Sequence, residues 1–421
     1  MGNKKTLFLQ SKVVKNSIWL LILQVFNTVI PLITLPYITR VLGSSEYGVF
    51  SLALNWVTYF QVLVEYGFGF TGAKKVSVNN NLDLQELYSR IITARIVLML
   101  LSFFLITGIS FATRTSKEQY TCMCILFIVI VGVAFQLTWL FQGKQNMRVI
   151  TIINAVARTT SVLLVFLIVK SPKHLFLYCA CYSTTFIFSA GAGLLYAKKE
   201  YGLKIKLCSI KDAFSEIIDG WYLFISQAMA KVFSGIGITV LGAVAASNVV
   251  GIYSALYKIP LVLILFFTPI SQALYPHISV RFADSFESGR NTVKKTASYV
   301  VAIFAILGII IILLRDKVIH IAFGADYLGY SVIVIPLTVW MILSILNNFL
   351  GIQYLVASDN QKRYSIAFTK GMIITVAANI ILGIMYSIYG VAVAAPVGEM
   401  ALTVFLILSI RNAEKDNKMI S

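Results

Sequence analysis

Apolar positions fall in blocks of roughly 20 residues, parted by short polar stretches. About 20 residues of helix span a hydrocarbon layer about 30 Å thick. Twelve blocks meet that length, at 16–38, 47–66, 91–112, 120–141, 149–169, 174–197, 217–245, 249–275, 297–314, 330–352, 364–387 and 389–410. The shortest connections join the fifth to the sixth, the seventh to the eighth and the eleventh to the twelfth. A membrane β-strand would alternate apolar and polar residues with a period of two; the run from Val300 to Leu314 has no such alternation. The pattern predicts an all-α integral membrane protein with twelve transmembrane helices. The first apolar block is too long for a secretory signal, and no small-residue cleavage site follows it.

Composition narrows the class. Only 12% of the 421 residues are charged and 58% are hydrophobic, with a mean hydropathy of +0.85. Soluble domains carry about 25% charged residues, so a water-soluble enzyme, a coiled coil and a disordered chain are excluded. The formal charge of +18 would suggest nucleic acid in a soluble chain. Here its distribution reads as topology. With the N-terminus in the cytoplasm, 23 Lys and Arg fall on the inner side, 7 on the outer side and five inside spans. Cytoplasmic loops carry such an excess, so both termini are expected inside and no nucleic-acid partner is expected. The five cysteines contain no C-x-x-C and the three histidines are far apart in sequence, so no disulfide framework, metal site or cofactor is expected.

The most basic connection, between 198 and 216, divides the spans six and six. The expected organisation is an N-lobe at 1–197, a cytoplasmic linker at 198–216 and a C-lobe at 217–421. A constant offset of 203 residues aligns Gln24 with Gln227 and Ser44–Ser51 with Ser247–Ser254, keeping Ser, Gly and Ser identical. Because six is even, the halves share one orientation, which implies a pseudo-two-fold axis along the membrane normal. Chance similarity among apolar helices is the competing explanation.

Charges inside spans cost roughly 2.5–3.5 kcal/mol on insertion scales. Lys231 lies about 21 Å from the start of its span, at about 1.5 Å per residue. Lys258 and Arg158 are about nine residues, or roughly 14 Å, into theirs at the same rise. All three are expected to face a hydrated cavity or a carboxylate. Arg95 and Lys370 are near cytoplasmic ends and are expected to reach water along their stems. Glu399 is near mid-depth; Glu65 and Asp219 are near inner ends. The offset pairs Lys231 with Thr28 and Lys258 with Asn55. Gln24, Asn27 and Asn55 add neutral hydrogen-bonding groups, which would equally serve to join helices. A surplus of deep cations favours an anionic cargo. Pro31 and Pro36 in the first span, and Gly235 and Gly237 in the seventh, suit bent helices.

Gly67-Phe68-Gly69-Phe70-Thr71-Gly72 matches G-x-G-x-x-G but follows a membrane span, so a dinucleotide site is not expected. There is no Walker A sequence and no grouping for nucleophilic catalysis.

Three patches carry a resemblance. The first is Leu35-Pro36-Tyr37-Ile38-Thr39-Arg40-Val41-Leu42-Gly43 with Tyr47-Gly48 and Tyr66-Gly67-Phe68. The second is Trp139-Leu140-Phe141-Gln142-Gly143 with Asn154 and Arg158. The third runs from Gly251 to Ile259 and from Pro269 to Pro276. Together they resemble the Wzx-type polysaccharide and O-antigen flippases, over spans 1 to 8 by motif and over the last four by hydropathy alone. That resemblance implies the multidrug/oligosaccharidyl-lipid/polysaccharide superfamily, with two six-helix lobes in a V and alternating access to a central cavity. It also implies a cargo of undecaprenyl-pyrophosphate-linked oligosaccharide, moved from the inner to the outer leaflet of the bacterial cytoplasmic membrane.

Arg40, Arg158 and Lys258 are the charged motif positions. Lys231 and Glu399 rest on depth. The expected substrate-binding set is therefore Arg40, Arg158, Lys231, Lys258, Asn55 and Gln24, with Glu399 for ion coupling. Expected partners are the lipid-linked anionic oligosaccharide, membrane lipids, a glycan polymerase and a coupling ion, H⁺ or Na⁺. A flippase for the peptidoglycan lipid precursor, a drug/cation antiporter of the same superfamily and a multi-span polymerase or ligase are the alternatives. The last would need a large outer loop, and the longest outer connection, near 315–329, is short.

The topology has a direct test in a background lacking the natural cysteines. A single cysteine at Thr115 or Asp316 should react with an impermeant maleimide in intact cells. One at Lys206 should react only after the inner face is opened. The reverse pattern contradicts the assignment.

Overall fold

A computed structural model of the chain describes the backbone of residues 2–78 and 83–420. The side chains of 1–15, 17, 20, 21, 27 and 417–420 lie outside the described residues. Asn27 and the tail cations Lys4, Lys5, Lys12, Lys15 and Lys418 fall among them. Among the described residues there are fourteen α-helices and no strand. Helices close their own backbone hydrogen bonds, which a hydrocarbon solvent demands.

The first helices are α1 (Gly2–Glu65), α2 (Phe68–Val78), α3 (Leu84–Ala112), α4 (Lys117–Phe135), α5 (Thr138–Gly143), α6 (Met147–Ile168) and α7 (Leu175–Tyr201). The rest are α8 (Ile210–Val244), α9 (Ser247–Leu256), α10 (Lys258–Asp284), α11 (Phe286–Leu313), α12 (Arg315–Ala322), α13 (Val334–Asn348) and α14 (Gln361–Ile420). A π-helical turn, Phe349–Val356, follows α13.

Ten stretches of the described residues are long and apolar enough to cross a membrane, where the hydropathy pattern predicts twelve. The difference lies in two long helices. The predicted spans 16–38 and 47–66 both fall in α1, and 364–387 and 389–410 both fall in α14. No loop separates either pair. Each helix instead breaks its dihedrals at one residue, Gly43 (φ 74°, ψ 173°) in α1 and Ser387 (φ 49°, ψ −129°) in α14. The Gly43 conformation is one that essentially only glycine adopts. The sequence supplies glycine where the chain must turn, and a one-residue break leaves no polar gap in a hydropathy profile.

Contacts divide the chain into two compact units, Met1–Ser234 and Gly235–Ser421, with the boundary inside α8. In the first unit α4 packs on both α7 and α1, and α6 packs on α7 and α1. In the second, α13 packs on α14, α11 and α10, around a core that includes Phe267, Phe304, Met341 and Phe349. Large apolar side chains also face outward, among them Phe104, Phe111 and Leu313. Lipid as the surrounding solvent removes the cost of that exposure.

Gly43→Ala should destabilise the fold by about 1–3 kcal/mol, the usual cost of holding a side chain in that region. Thermal unfolding of the detergent-solubilised protein checks this; an unchanged midpoint contradicts it.

Candidate functional site

The seven residues singled out by sequence divide between the two units. Gln24, Arg40, Asn55, Arg158 and Lys231 belong to the first, and Lys258 and Glu399 to the second. Gln24 is half-buried on α1, where its carbonyl accepts the Thr28 hydroxyl at 2.9 Å. Arg40 is exposed just ahead of the Gly43 break, and Asn55 is buried beyond it. Arg158 is half-buried on α6 and interacts electrostatically with Tyr182 of α7. Lys231 is half-buried on α8; Lys258 is exposed as the first residue of α10.

Glu399 is 4% exposed on α14. Asn347 on α13 donates its amide to the Glu399 carboxylate at 2.6 Å and to its backbone carbonyl at 2.9 Å. Thr403 donates to the Asn347 side-chain oxygen at 2.8 Å, which fixes which end of the amide faces the acid. Ser344 and Trp340 also hydrogen-bond to the carboxylate. A carboxyl group in so many neutral donors can hold a proton or a small cation within the second unit.

The first unit builds a second polar centre, which the sequence did not reveal. Arg95 is only 5% exposed and does not reach water, contrary to expectation. Its guanidinium donates to the carbonyls of Val133 at 3.2 Å and Gln136 at 2.7 Å. These carbonyls end α4, where the last turn of a helix leaves acceptors without partners and carries partial negative charge. Arg95 therefore caps α4 with a cation. Its guanidinium carbon stands 5.7 Å from the centre of the Phe68 ring, and Glu65 is its charged neighbour. The side chain of Gln136 continues the network to Ser189 at 3.0 Å, which in turn donates to Asn154 at 3.1 Å.

Beside Arg95 opens a cavity of about 270 Å³, lined by Glu65, Arg95, Gln136, Trp139, Gln142 and Gln227, among others. The glycines of the G-x-G-x-x-G stretch shape its wall. Gly67 has a φ of 78° and turns the chain from α1 into α2; a Cβ there would meet Leu223 at 2.8 Å. A Cβ on Gly72 would meet the Trp139 ring at 2.9 Å. The motif is thus a helix-to-helix turn with room for an indole, in keeping with the failed dinucleotide reading. Only the Trp139 patch and these glycines signalled the site; the depth of Arg95 in its span did not.

Next to this cavity, Lys75 of α2 bridges two acids of α8, Glu216 at 2.7 Å and Asp219 at 2.8 Å. The Glu216 side chain is 4% exposed, whereas that of Asp219 is 55% exposed.

Comparison with known proteins places this architecture. The family model described as "Polysaccharide biosynthesis protein" matches residues 13–282. A relative from Escherichia coli (strain K12), named "Putative O-antigen transporter", is 22% identical over 94% of this chain and 96% of its own length. Among solved structures, the lipid II flippase MurJ in an inward closed conformation superposes with a TM-score of 0.71 at 15% identity, covering 94% of this chain and 87% of that one. An inward-facing multidrug resistance MATE family transporter of the MOP superfamily gives 0.68 at 12% identity, covering 94% and 100%. At such identities the two structures show the fold alone. The chain is a multi-pass helical membrane protein of that fold.

Lys75→Met removes the ionic partner of a buried carboxylate. It should cost about 1.5–3 kcal/mol, the range for a hydrogen bond to a charged group. Adding Glu216→Gln should recover part of the loss. Thermal unfolding in detergent reads both; equal loss in the double variant contradicts the coupling.

Proposed function

Because this chain belongs to the polysaccharide biosynthesis protein family, we propose that it is a transporter, a flippase for lipid-linked oligosaccharide. The end-to-end match to the Escherichia coli relative carries the reading, and the fold shared with a lipid II flippase supports it. The cargo presents a pyrophosphate and sugars, which hydrocarbon rejects, and a polyprenyl tail, which hydrocarbon accepts. A protein that shelters only the head can leave the tail in lipid. The proposed setting is the bacterial inner membrane, with both termini cytoplasmic.

In this reading twelve spans form two six-helix lobes, N-lobe 1–197 and C-lobe 217–421, joined by 198–216. The breaks at Gly43 and Ser387 support twelve, since each divides a helix of about 60 residues into two membrane-length arms. The lobes expose a central cavity to each leaflet in turn. Arg40, Arg158, Lys231 and Lys258 attract the pyrophosphate, while Asn55 and Gln24 hydrogen-bond the head. Glu399, set among neutral donors, takes the coupling ion, H⁺ or Na⁺, and a glycan polymerase receives the delivered repeat.

A second reading, a flippase for the peptidoglycan lipid precursor, is favoured by the MurJ likeness. Both cargoes are anionic polyprenyl lipids, so the cationic set serves either. A drug/cation antiporter would want acids in the cavity, and the surplus of intramembrane cations speaks against it.

Deleting the gene in its host should abolish a surface glycan and trap its lipid-linked repeat on the inner leaflet, and the intact chain should restore both. Loss of peptidoglycan synthesis instead would favour the second reading. Lys231→Ala and Lys258→Ala should each lower surface glycan about tenfold or more at equal protein level, as expected for one charge-assisted hydrogen bond of about 1.5–3 kcal/mol. The Arg variants should keep most of it. Full export by both Ala variants contradicts the cationic site.

A further inference from the structure

We propose that the cavity beside Arg95 is a sugar-binding subsite that takes one pyranose ring of the cargo's glycan; this rests on the flippase reading above. The first observation is an unmet demand for acceptors. Arg95 and Trp139 are 5% and 0% exposed. Both line the cavity. Yet Arg95 Nε and the indole Nε1 of Trp139 have no hydrogen-bond partner. A buried donor left unpaired costs about 1–3 kcal/mol, so two side by side in a cavity wall call for an occupant that accepts hydrogen bonds.

The lining narrows the occupant. Three amide side chains, Gln136, Gln142 and Gln227, face the same space. Each offers both a donor and an acceptor, which suits hydroxyl groups, themselves donors and acceptors. Phe70 also lines the cavity. Its ring is 66% exposed and offers an apolar face to the C–H side of a sugar ring. Charge argues against the other cargo group. The guanidinium of Arg95 is opposed by the carboxylate of Glu65 on the same wall, so a pyrophosphate gains one cation and meets one anion. Arg95 in turn disfavours a cationic drug. A neutral polyhydroxylated ring meets neither penalty.

Size agrees. Drug-sized sites run about 300–1,000 Å³, and about 270 Å³ suits a single ring. The wall is also rigid: Arg95 is held by two backbone carbonyls, and the Trp139 ring lies against Gly72 and Ile91. Fixed donors around a small space are what selectivity among sugars needs, because a hydroxyl of the wrong configuration leaves a buried group unpaired.

The test uses the full chain in lipid nanodiscs and the monosaccharide mixture released by acid hydrolysis of the host's own surface polysaccharide. Saturation-transfer NMR should show one sugar binding saturably. Gln142→Ala and Gln227→Ala should each weaken that binding about tenfold, as the loss of a hydrogen bond of about 1.4 kcal/mol would. Lys317→Ala, on exposed α12, should leave it unchanged. Inorganic pyrophosphate should not displace the sugar. The proposal is overturned if no sugar saturates, if the Gln variants bind as the parent does, or if pyrophosphate takes the site; a cavity filled only with water gives the first result. Surface glycan in the deletion strain separates the two readings. Export restored with no sugar bound ends this proposal alone. Sugar bound and lost in the Gln variants, with no glycan restored by the chain, ends the flippase reading and leaves a sugar site.

Discussion

A polar group inside a bilayer must find its partner within the protein, because the surrounding solvent has none to give. That one constraint explains why the described chain is helical from end to end. It explains why Arg95 sits under the carbonyls that end α4 and why Glu399 is enclosed by Asn347, Ser344 and Trp340. It also makes an unpaired buried donor informative. In water such a group costs little, whereas in a membrane protein it marks a place where something polar belongs.

The same constraint shapes the proposed cargo path. A lipid-linked glycan is soluble in the bilayer at one end and insoluble at the other. The protein need not enclose the whole molecule; it has to replace water around the head. Cations can replace water around a phosphate, and amides with an indole can replace it around a sugar. The first unit carries members of both kinds: Arg40, Arg158 and Lys231, and separately the Gln136, Gln142 and Gln227 wall. A carrier that reads charge and sugar in different places can hold the common anchor tightly and still discriminate among glycans.

Much of this was legible in the chain itself. Blocks of apolar residues forecast helices because burial of backbone groups leaves no other regular solution. The motifs around Leu35–Gly43 and Trp139–Gly143 pointed to the family because short polar punctuation survives within otherwise interchangeable apolar sequence. Three things were not legible. Breaks at Gly43 and Ser387 join arms that hydropathy treats as separate spans, since one residue of altered dihedral carries no polar signature. Arg95 lies near a helix end by count, and distance along one helix cannot show that a neighbouring helix stops beside it. The Gly67–Gly72 stretch read as a failed nucleotide motif because its purpose, room for the Trp139 ring, depends on a partner far away in sequence.

The most direct measurement is transbilayer movement in vesicles that hold the purified full chain and a fluorescent polyprenyl-pyrophosphate-linked glycan. An impermeant quencher is added outside once the inner and outer pools are established. The account predicts that glycan from the inner leaflet becomes quenchable only in vesicles containing the protein. Equal quenching in protein-free vesicles, or an inner pool that stays protected when the folded protein is present, would contradict it.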